Sequence, residues 1–138
     1  MALLDVNALI ALAWDSHVHH AAMRQWFSAN GEDGWATCPV TESGFVRVSA
    51  NPKVMPHPIG VQAAVEVLAA LRSIEGHVFL SDDVSPADAD FPHVFGHRQV
   101  TDAHLLTLAR CHEVDLVTFE SGIQDLSDGQ GVNLLQPF

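Results

Sequence analysis

At 138 residues, 48% of them hydrophobic, the chain is long enough for one domain with its own core and too short for two. Seventeen Asp and Glu against six Lys and Arg leave a formal net charge of −11. That balance excludes a broad basic surface of the kind that holds a phosphate backbone by charge alone; a divalent cation held by carboxylates, or a basic partner protein, would have to supply the positive charge.

The apolar N-terminus, Met1 to Trp14, is interrupted by Asp5 and shows neither a basic lead nor a small-residue cleavage site. It predicts a buried strand running into a helix, not a leader. Strand candidates follow at Trp35 to Cys38, His77 to Leu80, Asp115 to Thr118 and Val132 to Leu135, after a first at Ala2 to Leu4. Between them lie helical stretches: Asn7 to Ala13, His17 to Ser28, Thr41 to Ser49, Ile59 to Ser73 and Thr101 to Cys111. This alternation predicts an α/β domain with a mostly parallel sheet. Asn30-Gly31, Asp33-Gly34 and Asn51-Pro52 punctuate it, and Pro86 and Pro92 bracket one short helix in the irregular segment from Ser81 to Gly96. No apolar run reaches the ~18 residues of a membrane-spanning helix. Cys38 and Cys111 form no C-x-x-C pair, which argues against a disulfide scaffold or a zinc site and fits a reducing cytoplasm.

Four acids occupy equivalent places in these units. Asp5 directly follows the first strand, Glu42 and Asp102 each follow a threonine placed to cap a helix, and Glu120 follows the strand ending at Thr118. In an open parallel sheet the carboxyl ends of the strands and the amino ends of the next helices share one edge, where ligands bind. Four carboxylates gathered there repel one another unless a cation lies between them or some are protonated. Taken singly, Glu42 and Asp102 are also ordinary first-turn acids, favoured by the helix dipole. Asp5 has no comparable reason to end an apolar strand beyond an Asx-type turn. Hard oxygen donors without a zinc-spaced Cys or His pair point to Mg²⁺ or Mn²⁺. His17, His19 and His20 cannot all face one ligand on a helix, and His104 is either a solvated side chain or a base beside Asp102.

The segments Leu3-Leu4-Asp5-Val6-Asn7-Ala8, Thr41-Glu42-Ser43-Gly44-Phe45-Val46-Arg47 with Asn51-Pro52 after it, Val100-Thr101-Asp102-Ala103-His104 and Leu116-Val117-Thr118-Phe119-Glu120 resemble, in order and spacing, the four motifs of PIN-domain ribonucleases, specifically the VapC toxins. The resemblance spans nearly the whole chain and implies a single PIN domain, 1–138, with three α/β/α layers around about five strands. It implies a Mg²⁺-dependent endoribonuclease acting on tRNA or rRNA and leaving 5′-phosphate and 3′-hydroxyl ends. Asp5, Glu42 and Asp102 take the family's metal-binding positions, Asp5 and Asp102 as ligands, and Glu120 stands where the family usually has Asp. Asn7 and Thr101 match polar residues that support the acids. Beside the resemblance, Arg47 and Arg98 are placed to contact flanking phosphates, or Arg47, five residues after Glu42, neutralises the acid cluster structurally. The resemblance also implies a VapB-type antitoxin as partner and a homodimer.

Two enzyme classes with similar openings are excluded by single residues. A haloacid-dehalogenase-type phosphatase needs a second Asp where Asn7 stands, and a receiver domain needs a lysine near the end of a late strand, far from Lys53. A catalytically silent PIN-like interaction module is the remaining alternative, since a fold alone never establishes activity.

Overall fold

Neighbouring residues of a strand point to opposite faces, and all three residues of β1 (Ala2–Leu4) are apolar and buried, so β1 has to be covered on both sides. The computed structural model, which describes residues 1–94, 96–127 and 130–135, shows how. β1 lies at the centre of a five-stranded sheet with β2 (Trp35–Thr37), β3 (His77–Phe79), β4 (Asp115–Thr118) and β5 (Val132–Leu134), in the order β3-β2-β1-β4-β5. Every pairing is parallel. Each strand starts where the sequence placed it, and β2, β3 and β5 stop one residue short.

Alternation then sorts the side chains into two cores. Ala2, Leu4, Trp35 and Val117 face α1 (Val6–Ala13), α2 (His20–Asn30), α3 (Pro39–Ser49) and α4 (Val61–Arg72), and pack with Leu9, Met23, Phe45 and Leu68. Leu3, Ala36 and Leu116 face the other way, onto α5 (Val100–Cys111) and the short α6 (Ile123–Ser127), where Leu105, Leu106, Leu108 and Ile123 meet them. The result is three layers. Trp14, Trp26 and Phe27 are partly buried against the first core. Among the described residues no helix is long and apolar enough to cross a membrane.

Helix starts differ from expectation for local chemical reasons. Asp5 itself caps α1, accepting the Val6 N–H at 2.7 Å. Pro39, with its preset φ, occupies the first turn of α3. Thr41, inside that turn, accepts the Cys38 N–H at 3.0 Å in a reciprocal capping arrangement, so it supports the cap without being it. A single 3-10 turn at His97–Gln99 leads directly into α5, which places Thr101 within the helix as well. His17 to His19 form a turn before α2 instead of its first residues. The helix expected between Pro86 and Pro92 is absent; the described part of that segment makes turns, with the Asp88 N–H bonded to Ser85 O and the Phe91 N–H to Asp88 O.

Candidate active site

Asp5 is 6% exposed, and its burial is supported by donors from two elements. Besides the Val6 N–H, its carboxylate accepts the Thr118 hydroxyl at 2.8 Å and the Asn7 amide at 3.3 Å. Thr118, the last residue of β4, is fully buried and also accepts from Asn7 Nδ2 at 3.1 Å and from the Glu120 N–H at 3.0 Å. Asn7 Oδ1 accepts the Phe119 N–H at 3.1 Å. The ends of β1 and β4 are thereby tied through three polar side chains, and the backbone that carries Glu120 is fixed relative to Asp5.

Asp102, half-buried in the first turn of α5, faces the same place. Burial raises its pKa to about 6, and the charges of Asp5 and Glu120 push in the same direction; among the described residues no hydrogen bond offsets them. Burial also raises Asp5, partly offset by Thr118 and Val6, and Glu120 adds repulsion there too. Asp5, Asp102 and Glu120 thus form one electrostatically coupled set. They line a cleft of about 840 Å³ together with Asn7, Arg47, Arg98 and Thr101. Six apolar residues, Val6, Ile10, Val18, Val48, Val54 and Met55, build much of the rest of its wall.

Glu42 is the expected site residue that the structure does not bring there. Its carboxylate accepts the Thr37 hydroxyl at 2.6 Å and an Arg72 N–H at 3.3 Å, which turns it toward the α4 side of the sheet. Thr37 also meets His77 Nε2 at 2.7 Å, and Arg72 lies over the Phe79 ring at 4.8 Å. His104 is likewise turned away from the cleft: its Nε2 pairs with Asp82 at 2.7 Å and ties the irregular segment to α5.

Thr118 is a polar contributor that sequence reasoning passed over, and His17 is one that it weighed and set aside. A threonine ending a buried strand reads as an ordinary β-former, and its one distinguishing signal is its place two residues before Glu120. His17 lines the cleft from the turn before α2.

The donor set fits a hard divalent cation. Among the described residues no three His, Cys, Asp or Glu side chains form a complete protein cage, and magnesium does not require one, since it is held by one or two carboxylates with waters and substrate phosphate completing the shell. Asp5 and Asp102 meet that need, and their mutual repulsion is what a cation relieves.

Comparisons with known proteins agree with this architecture. A family model described as the PIN domain matches residues 2–129. Ribonuclease VapC38 of Mycobacterium tuberculosis is 65% identical over 127 residues, covering 92% of this chain and 90% of the relative. Ribonuclease VapC39 of the same organism is 46% identical over 139 residues, covering 97% and 99%. The crystal structure of M. tuberculosis VapC20, described as a sarcin-ricin loop cleaving toxin, superposes with a TM-score of 0.64 at 13% identity and covers 99% of this chain and 100% of that one, which shows a shared fold. On the family match and these identities, the chain belongs to the VapC family of PIN-domain ribonucleases.

Proposed function

We propose that the chain acts as one domain and is a Mg²⁺-dependent endoribonuclease toxin, with Mn²⁺ as a substitute, that hydrolyses tRNA or rRNA to 5′-phosphate and 3′-hydroxyl ends. One observation carries this: three mutually repelling carboxylates, Asp5, Asp102 and Glu120, share a cleft with two arginines in a protein of net charge −11. Asp5 and Asp102 would hold the ion. Bound there, magnesium supplies charge neutralisation at the scissile phosphate and activation of the attacking water.

The chain's own residues do the rest. Thr118 and the Val6 N–H keep the Asp5 carboxylate in one orientation, as outer partners of metal ligands do. Asn7 bridges Asp5 and the Phe119 backbone, and Thr101 lies beside Asp102 on the cleft wall. Glu120, one methylene longer than the family's usual Asp, orients water instead of binding directly. Arg47 and Arg98 contact the phosphates on either side of the cut. Glu42 joins the catalytic set only on release from the Thr37 hydroxyl and from Arg72, the latter a partly exposed ion pair of the weak kind. A cationic VapB-type antitoxin suits the acidic surface, and the functional unit is a homodimer.

The test is cleavage of a total tRNA and rRNA pool by the purified, antitoxin-free chain in Mg²⁺, beside Asp102→Asn and an EDTA control. Discrete fragments that vanish in both controls are expected. A folded wild type that leaves the pool intact, or an Asp102→Asn variant that cuts equally well, would reject this function in favour of a silent interaction module.

A further inference from the structure

The turn joining α1 to α2 and the first residue of α2 carry three histidines, His17, His19 and His20, that the acid machinery does not use. His17 is closed into that turn on both sides: its N–H bonds to Trp14 O at 3.0 Å, and its carbonyl accepts the His20 N–H at 3.0 Å. The His19 backbone N–H donates to His17 Nδ1 at 3.0 Å. Only a lone pair accepts an N–H, so Nδ1 is unprotonated and the neutral ring carries its hydrogen on Nε2. Burial first, then His19 and His20, hold this ring below the ordinary histidine value, so it is neutral at neutral pH. The mount is rigid. His19 is stacked flat on Phe119, with centroids 4.4 Å apart and planes 9° apart, and the His17 ring lies 5.5 Å from that of His19.

Among the described residues His17 Nε2 makes no hydrogen bond and is not one of the fully buried polar atoms, and His17 lines the cleft. The wall there includes Val18, Val48 and Val54, and Val18 and Val54 are 80% and 58% exposed. A hydrated ion or a phosphate gains nothing from such a wall, whereas the face of an unstacked base does. Arg47 and Arg98, which line the same cleft, are the groups suited to its anions. An uncharged donor of fixed direction is suited instead to an acceptor on a base edge, the part of a nucleic acid that carries sequence information.

We propose that His17 is a specificity-determining residue, whose Nε2–H donates to a carbonyl oxygen or ring nitrogen of an unpaired RNA base seated against Val18, Val48 and Val54. This rests on the ribonuclease function proposed above. His17→Asn and His17→Gln separate recognition from structure. Asn places its carbonyl near the Nδ1 position and keeps the bond from His19, but has nothing at Nε2; Gln carries an amide N–H toward the Nε2 position.

The experiment sequences all fragment ends produced from the RNA pool in Mg²⁺ by wild type, H17N and H17Q, each first shown to melt cooperatively. Wild type is expected to discriminate among bases at one position next to the cut. H17N should lose about three- to tenfold of that discrimination, the worth of one neutral hydrogen bond, and H17Q should keep most of it. Identical cleavage profiles for all three, or a uniform slowing of every site by H17N, would overturn the proposal. Anisotropy titrations of short single-stranded RNAs differing in one base, run in EDTA, repeat the test without cleavage. A base preference present in wild type and missing in H17N supports the assignment even if the nuclease reading fails, and equal preferences refute it.

Discussion

At Asp102, burial and the facing charges of Asp5 and Glu120 act together, and the carboxyl is lifted to about 6 from the ordinary 3.8. The folded chain therefore binds this proton more tightly than the unfolded chain, and without metal stability falls as pH rises from about 4 to about 6. Below that window both states are protonated and nothing is lost; above it both are ionised and the full penalty is present. In EDTA, Asp102→Asn should melt at the wild-type temperature near pH 4 and several degrees higher at pH 7.5. Added Mg²⁺ should then raise the wild type more than the variant, as thermal melts across pH would show. The sequence made Asp5 and Asn7 legible because an acid closing an apolar strand stands out there, although Asp5 also serves as the N-cap of α1, a use that the sequence reading did not credit. The position of Glu42 was equally legible. Its direction was not, because Thr37 and Arg72, the latter 30 residues away, set it.

Among the elements, α1 and α3 approach closely enough that a Cβ built on Gly44 would stand 2.5 Å from Val6 Cγ2. Gly44→Ala gains roughly 1 kcal/mol of helix propensity, against an overpacking cost of roughly 1–3 kcal/mol. Denaturant unfolding should show a net loss of about 1 kcal/mol. In a Val6→Ala background the same substitution should be neutral or stabilising, because the obstructing methyl is gone. That close approach matters for the site, since Val6 donates the backbone hydrogen bond that orients Asp5. Strands and long helices were readable from periodicity alone. Helix starts were shifted by Pro39 and by the 3-10 turn at His97–Gln99. The five-residue α6 carries too short a pattern to register, although Ile123 is fully buried beneath α5.

For the whole molecule, the decisive fact is that β1 lies between β2 and β4. The alternation of strand and helix predicted a parallel sheet but not this order, which depends on pairings between distant parts of the chain. Asp5 and Thr118, bonded at 2.8 Å, are 113 residues apart in sequence. Without β4 one edge of β1 is unpaired, Leu4 loses its neighbour Val117, and Asp5 loses the Thr118 hydroxyl. A fragment ending at His112 should therefore show no cooperative thermal transition by circular dichroism, whereas the full chain should show one.

The central position of β1 also has a consequence in time. Asp5 is made before the strand that positions it, Thr118 following 113 residues later. At about 5–20 residues per second the two are separated by roughly 6–23 s, during which the growing chain has no assembled cleft. A ribonuclease built this way would thus stay inert on the ribosome that makes it until β4 has emerged and paired with β1.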